Sequence, residues 1–195
     1  MSARQWTEAG TKLLLTQVDQ LTDAQFAEPT VLAGWTRAHL VAHVHFNAQA
    51  LRRLLTWAAT GVEHRMYASP EQRNAEIESG AQLPASELRA LALESAEALA
   101  HDMDALTDEA WQRPVITAQG RTVPASEVPW LRAREVCIHA VDLDTGLTFT
   151  DLPQDFLTAL ATDAVRKHAA AGQVADLASW LTGRVPTAPD LGRWL

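Results

Sequence analysis

The chain has 195 residues, 47% of them hydrophobic and 21% charged, with a net charge of −8 from 16 Lys and Arg against 24 Asp and Glu. That composition is ordinary for a globular protein and excludes a largely disordered one. No apolar run approaches the roughly 18–20 residues that span a bilayer, and no basic run exceeds two residues, against the basic face that a nucleic-acid binder presents. The first six residues, Met1 to Trp6, turn polar at once and offer no signal core. Cys137 is the single cysteine, so no intrachain disulfide is available, as suits a reducing cytosol.

The elements read as helices almost throughout. Leu14, Val18 and Leu21 form the stripe of a first helix over residues 3–21, and a turn or short helix follows before Gly34-Trp35 interrupts the pattern. Thr36 is an N-cap for a second helix reaching residue 60, with Leu40, Val44, Ala48, Leu51 and Leu55 as its seam and Gly61 just past its end. Ser69-Pro70 opens a short helix to residue 79 that Gly80 ends. A third long helix covers 84–106, residues 113–124 suggest a short hairpin or extended loop, and Ser126 caps a fourth helix to residue 143. Four such helices predict an all-α fold, a four-helix bundle over residues 1–150. Residues 151–195 add a short helical extension, with helices over 153–170 and 174–181. It is expected to pack on the bundle through Phe156, Leu160, Leu177, Trp180 and Leu181.

Chemistry concentrates on the second and fourth helices. Glu135 and His139 are four residues apart and share a face. His39 and His43 repeat that spacing on the second helix, and facing helices in a bundle lie about 8–10 Å apart. Two imidazoles and one carboxylate around an open fourth position make a catalytic zinc arrangement. The same spacing also occurs as a weak ion pair on a solvated helix face, and spacing alone does not decide between the two. His45, His64, His101 and His168 have no partner pattern and read as surface or capping residues. Cys137 lies off the face of Glu135 and His139 and reads as a small core residue.

The run from Gly34-Trp35-Thr36 through His39-Leu40, His43 and Asn47-Ala48 resembles the signature of the mycothiol-dependent maleylpyruvate isomerase family, within the DinB-like superfamily. Met66-Tyr67-Ala68-Ser69 through Arg73, Ile77 and Glu78 is similar to the same family's connection. Trp130 to Val136 with His139 and Asp142-Leu143, and Leu177 to Arg184, are further matches in order along the chain. The resemblance implies a DinB-like bundle holding a divalent metal, most often zinc, on His43, Glu135 and His139, with His39 as helper or structural residue. It also implies mycothiol as thiol cosubstrate: the thiol adds to a cis double bond, the resulting single bond rotates, and elimination leaves the trans isomer.

Asn47, one turn beyond His43, would bind substrate or orient water, or else face a neighbouring helix. Arg184 would pair with a substrate carboxylate, or else balance a helix end. Arg73 and Arg134 are the other candidates for that clamp. Full-length members carry a C-terminal α/β domain for which residues 171–184 leave no strands, so the extension is a truncated one. A mycothiol S-transferase acting on an electrophile is therefore a comparable expectation. A non-catalytic metal-binding bundle and a metal-free structural protein are the remaining ones. The expected partners are a small thiol and a small electrophilic or unsaturated acid, with no nucleic acid and no membrane. The expected state is a cytoplasmic monomer or weak homodimer.

Overall fold

The computed structural model describes residues 1–191, so the last four positions of the expected extension lie outside the described residues. The chain divides into two compact units, Met1–Asp151 and Leu152–Leu195.

In the first unit, α1 (Ala3–Gln20) starts from a reciprocal cap: the Ser2 hydroxyl accepts from the Gln5 amide, and the Gln5 side chain accepts from the Ser2 amide. The same device starts α2 (Arg37–Thr60) at Thr36, with His39 in the position a Glu usually takes. Gly61 ends α2 at φ 76°, a left-handed conformation that costs glycine little. α3 (Pro70–Gly80) begins at Ser69 with Pro in its first turn, α4 (Ala85–Ala105) follows Pro84, and a one-turn α5 (Asp108–Trp111), which the sequence pattern had not indicated, leads on. The hairpin pairs β1 (Pro114–Ile116) with β2 (Thr122–Pro124), antiparallel, Val115 opposite Val123. α6 (Val128–Asp142) completes the four long helices. α1 packs chiefly on α6 and α2 on α4, while α2–α6 and α1–α4 contacts close the bundle. Leu14, Val18, Leu40, Leu51, Leu54, Leu88 and Leu99 are buried at its centre. Each contributes about 1.5–3 kcal/mol relative to exposure.

Two sequence expectations change here. Ser126 does not cap α6. The Ala125 amide still bonds the Arg113 carbonyl at 2.9 Å, so the hairpin runs into a 3₁₀ turn over Ala125–Glu127, and α6 begins after it with Pro129 in its first turn. Gly80 is the last residue of α3 rather than a stop beyond it. A Cβ there would lie 2.9 Å from both Ala42 and Phe46, so glycine is needed for the close approach of α3 to α2.

In the second unit, α7 (Gln154–Ala170) packs on α8 (Val174–Leu181). Phe156, Leu160 and Leu177 are buried, whereas Trp180 and Leu181 are exposed. No described helix is long and apolar enough to cross a membrane.

Candidate metal centre

α2 and α6 face one another, and their polar faces meet at three side chains. His43 Nε2 lies 2.9 Å from Glu135 Oε2, and His139 Nε2 lies 3.4 Å from the same oxygen. The donor atoms of the three all fall within 4.8 Å of one another. A tetrahedral zinc about 2.0–2.1 Å from each donor sets donors about 3.3–3.4 Å apart, so the opening is the size of one ion. The other ring nitrogens are also engaged: His139 Nδ1 with Asp142 Oδ2 at 2.8 Å, and His43 Nδ1 with Arg73 Nη2 at 3.3 Å. A carboxylate behind a ligand imidazole is the usual support of a metal-binding histidine. His43 is buried, while the Glu135 and His139 side chains keep 20% and 16% exposure, which leaves one side open for an exchangeable ligand. The Trp35 ring packs tilted against that of His43, 5.3 Å between centroids.

The charges suit a cation. Burial holds His43 below its ordinary range, hence neutral at pH 7, against the pull of Glu135. Burial would raise Glu135, but hydrogen bonds from His139 and His43 outweigh it and hold the carboxyl well below its usual range. Burial would likewise lower His139, yet its bonds to Asp142 and Glu135 push it up to about 9. A neutral imidazole and an ionised carboxylate are therefore ready to ligate, and the second imidazole must release a proton to do so.

The other expected residues divide. Asn47 is buried and accepts a hydrogen bond from Arg132 Nη1 at 2.8 Å, so it faces the neighbouring helix. Arg73 reaches the centre through His43. Arg134 instead lies along the Trp130 ring, 5.8 Å from its centroid, and Trp130 meets Trp6 of α1 edge-on, which sets Arg134 on the α1 side of α6. Arg184 is exposed in the second unit and donates to the Thr182 carbonyl at 2.5 Å. His39 serves the α2 cap, its Nδ1 2.7 Å from Thr36 Oγ1. His64 and His101 are exposed as expected. His45 and His168 are not surface residues: both are buried, the first hydrogen-bonded to the Leu91 carbonyl at 3.0 Å and the second to the Gln173 side chain at 2.8 Å. Cys137 is fully buried, and burial pushes its thiol up to about 12.

Four participants went unassigned in the sequence. Asp142, three residues after His139, shares its face and was detectable from that spacing. Arg132 is fully buried and, although burial lowers it to about 10, remains a cation at pH 7. It donates to the Val44 carbonyl as well as to Asn47. Arg37 donates to the carbonyls of Leu143 at 2.7 Å and Asp144 at 2.9 Å and pairs with Glu28. Tyr67 is half-buried within the electrostatic reach of Arg73, and burial pushes its hydroxyl up to about 12. No local pattern marks these last three, because each acts across about 6 to 107 positions of sequence.

The family model described as the mycothiol maleylpyruvate isomerase N-terminal domain matches residues 7–144. The crystal structure of the mycothiol-dependent maleylpyruvate isomerase superposes with a TM-score of 0.82 at 45% identity, covering 84% of this chain and 68% of that one. A histidine-to-alanine mutant of that enzyme gives 0.81 at the same identity and coverage. YfiT from Bacillus subtilis, described as "a probable metal-dependent hydrolase with an unusual four-helix bundle topology", shares the fold at a TM-score of 0.60 and 19% identity, covering 73% of this chain and 82% of that one. A comparison with curated proteins finds no match. With its bundle, its ordered motifs and a family model spanning residues 7–144, the chain belongs to the mycothiol maleylpyruvate isomerase N-terminal domain family and is homologous to an enzyme.

Proposed function

We propose that this chain is a cytoplasmic, divalent-metal-dependent enzyme that uses a low-molecular-weight thiol, mycothiol, to isomerise a small cis-unsaturated acid, with zinc as the ion. The observation that carries this reading is the convergence of His43 Nε2, Glu135 Oε2 and His139 Nε2 on one ion-sized opening. A divalent ion there supplies Lewis-acid stabilisation of a thiolate at neutral pH. The chain's residues do the rest. Asp142 holds the His139 ring in the orientation that turns Nε2 inward. Arg132 fixes α6 against α2 through Val44 and Asn47. Cys137, buried and protonated, leaves nucleophilic attack to the thiol cosubstrate.

The test is elemental analysis of the protein purified without added metal, alongside Glu135→Ala, followed by thiol-dependent turnover of a cis-unsaturated acid. About one zinc per chain, lost in the variant, with thiol-dependent formation of the trans acid, is the expected result. A stable thioether as product assigns an S-transferase instead. A folded protein that takes up no ion even on reconstitution overturns the reading.

A further inference from the structure

The two histidines of the centre are supported unequally. His139 has a carboxylate behind it on the same helix, with Asp142 Oδ2 2.8 Å from its Nδ1. Among the described residues His43 has no carboxylate there. Its Nδ1 meets Arg73 Nη2 at 3.3 Å, the tip of a long side chain with several free torsions. An imidazole turns about its last side-chain bond with only a broad two-fold preference, so that contact leaves the ring plane loosely fixed. The other close neighbours of His43 are rings. Trp35 lies tilted at 56° with its centroid 5.3 Å away, and His139 stands edge-on at 5.0 Å.

The backbone of Trp35 is itself held. It closes a short hairpin in which Pro29 pairs with Thr36. The Trp35 amide donates to the Leu32 carbonyl at 3.0 Å, and the Trp35 carbonyl accepts from the Thr30 amide at 3.0 Å and the Thr30 hydroxyl at 3.1 Å. Gly34 makes the turn at φ 83°, where a side chain would be strained. The hairpin runs directly into the Thr36 cap of α2, and its Val31 amide donates to the Asp142 carbonyl at 3.4 Å. One loop thus touches His43 through Trp35 and, through Val31, the residue that holds His139. A residue just before a helix cap commonly packs on the fourth helical residue, Leu40 here, and serves the helix start. The Trp35 ring reaches about one turn further, to His43.

We propose that Trp35 is the positioning residue of His43. Its ring, fixed by the hairpin, holds the imidazole in the rotation that directs Nε2 at Glu135 Oε2 and the ion-sized opening, as Asp142 does for His139. This rests on the functional reading above in taking His43 as a ligand. A ring orients by contact and brings no charge. A second carboxylate in its place would offset more of the ion's charge and weaken its hold on a thiolate. One charged and one apolar support together fix both imidazoles and leave the ion a strong Lewis acid.

The experiment compares wild type with Trp35→Phe, Trp35→Leu and Trp35→Ala, each checked for folding by circular dichroism. Zinc affinity is read by chelator competition, and the geometry of the site by the absorbance of the cobalt(II)-loaded protein. Trp35→Leu keeps apolar bulk and loses the ring. It is expected to weaken zinc binding about tenfold and to shift the cobalt spectrum, with Trp35→Ala approaching about 100-fold, the range for residues that orient a ligand. Trp35→Phe, which keeps a ring, is expected to restore both readouts towards wild type. Wild-type zinc affinity and an unchanged cobalt spectrum in folded Trp35→Leu and Trp35→Ala overturn the proposal, whatever stability those variants lose. Equal behaviour of Trp35→Phe and Trp35→Leu also overturns it, since Trp35 would then be apolar filler. If neither Trp35→Leu nor Trp35→Ala folds, Trp35 serves the helix start and the proposal falls as well. Absorbance of the cobalt(II)-loaded wild type on adding a thiol separates the two readings. The expected variant pattern without a thiol response keeps Trp35 as a positioning residue and overturns the thiol chemistry, and a thiol response without the variant pattern does the reverse. A wild-type protein that holds no ion overturns both.

Discussion

α6 presents two unlike surfaces to its neighbours. Towards α1 it closes without space: a Cβ on Gly10 would lie 2.5 Å from Cys137 Sγ and 2.7 Å from Val136 Cγ2. Towards α2 it turns Glu135, His139 and Arg132 inward. Glu135 and Cys137 are two residues apart, about 200° around the helix, so adjacent stretches of sequence serve opposite purposes. The first surface is stabilised by excluded space and tolerates no added atoms. The second holds charges whose cost is met by mutual hydrogen bonds, and it keeps an open side. The contrast teaches that on α6 the α1 seam supplies close packing, while the α2 seam joins polar chemistry to the arginine ties that hold the two helices together.

Substitutions can break that division. Glu135→Ala takes the central carboxylate from the polar seam and is expected to abolish metal retention, a loss of about a thousandfold or more in affinity, while circular dichroism still reports a folded bundle. Unfolding of this variant would show that the polar seam is structural after all. Asp142→Asn keeps the shape but withdraws the charge behind His139, and zinc affinity should drop about 10–100-fold in a chelator competition. Gly10→Ala addresses the other seam: it should cost about 1–3 kcal/mol in denaturant unfolding through overpacking and leave zinc content at the wild-type level. If zinc content falls with it, the two seams are not separable.

Acid sharpens the comparison without any mutation. In the metal-free protein His139 titrates near 9, above its ordinary 6.5, because its bonds to Asp142 and Glu135 outweigh burial. Below that pH an incoming ion must displace a proton. Apparent zinc affinity is therefore expected to fall about tenfold per unit of acidification and to level off above about 9. An affinity that holds constant across neutral pH would remove the proton from His139. The smallest effect belongs to Cys137, whose thiol, pushed up to about 12, should resist alkylation in the native protein and react on unfolding.

The long helices were legible because their limits are local. Thr36 with His39, Gly61, and Ser69 with Pro70 are contacts within one turn, and hydrophobic spacing supplied the interiors. The pair Glu135 and His139 was legible for the same reason, while the choice of His43 over His39 came from a family resemblance. His39 faces the cap and Glu78 instead. What the pattern missed depends on distance in sequence. His45 looks unpartnered until α4 places the Leu91 carbonyl beside it, 46 positions on. Gly80 looks like a stop until α2 approaches within contact of it. Arg132 and Arg134 are two residues apart and equally basic; only the packed bundle shows that one points at α2 and the other lies over Trp130.

The two arginine ties between α2 and α6 have one more consequence. Arg37 grips the carbonyls at residues 143 and 144, just beyond the end of α6, and Arg132 grips α2 at residues 44 and 47. Along each helix the donors lie between these grips or within a turn of one. The opening is thus braced like a frame bolted at two corners, and its width is set by the scaffold before any ion arrives. Such a frame gives up little disorder on loading and does not collapse on emptying, so an ion can be exchanged through the open side while the bundle stays folded. Ions would then be selected by how well they fit a fixed gap, and the scaffold could pass from one metal to another without being rebuilt.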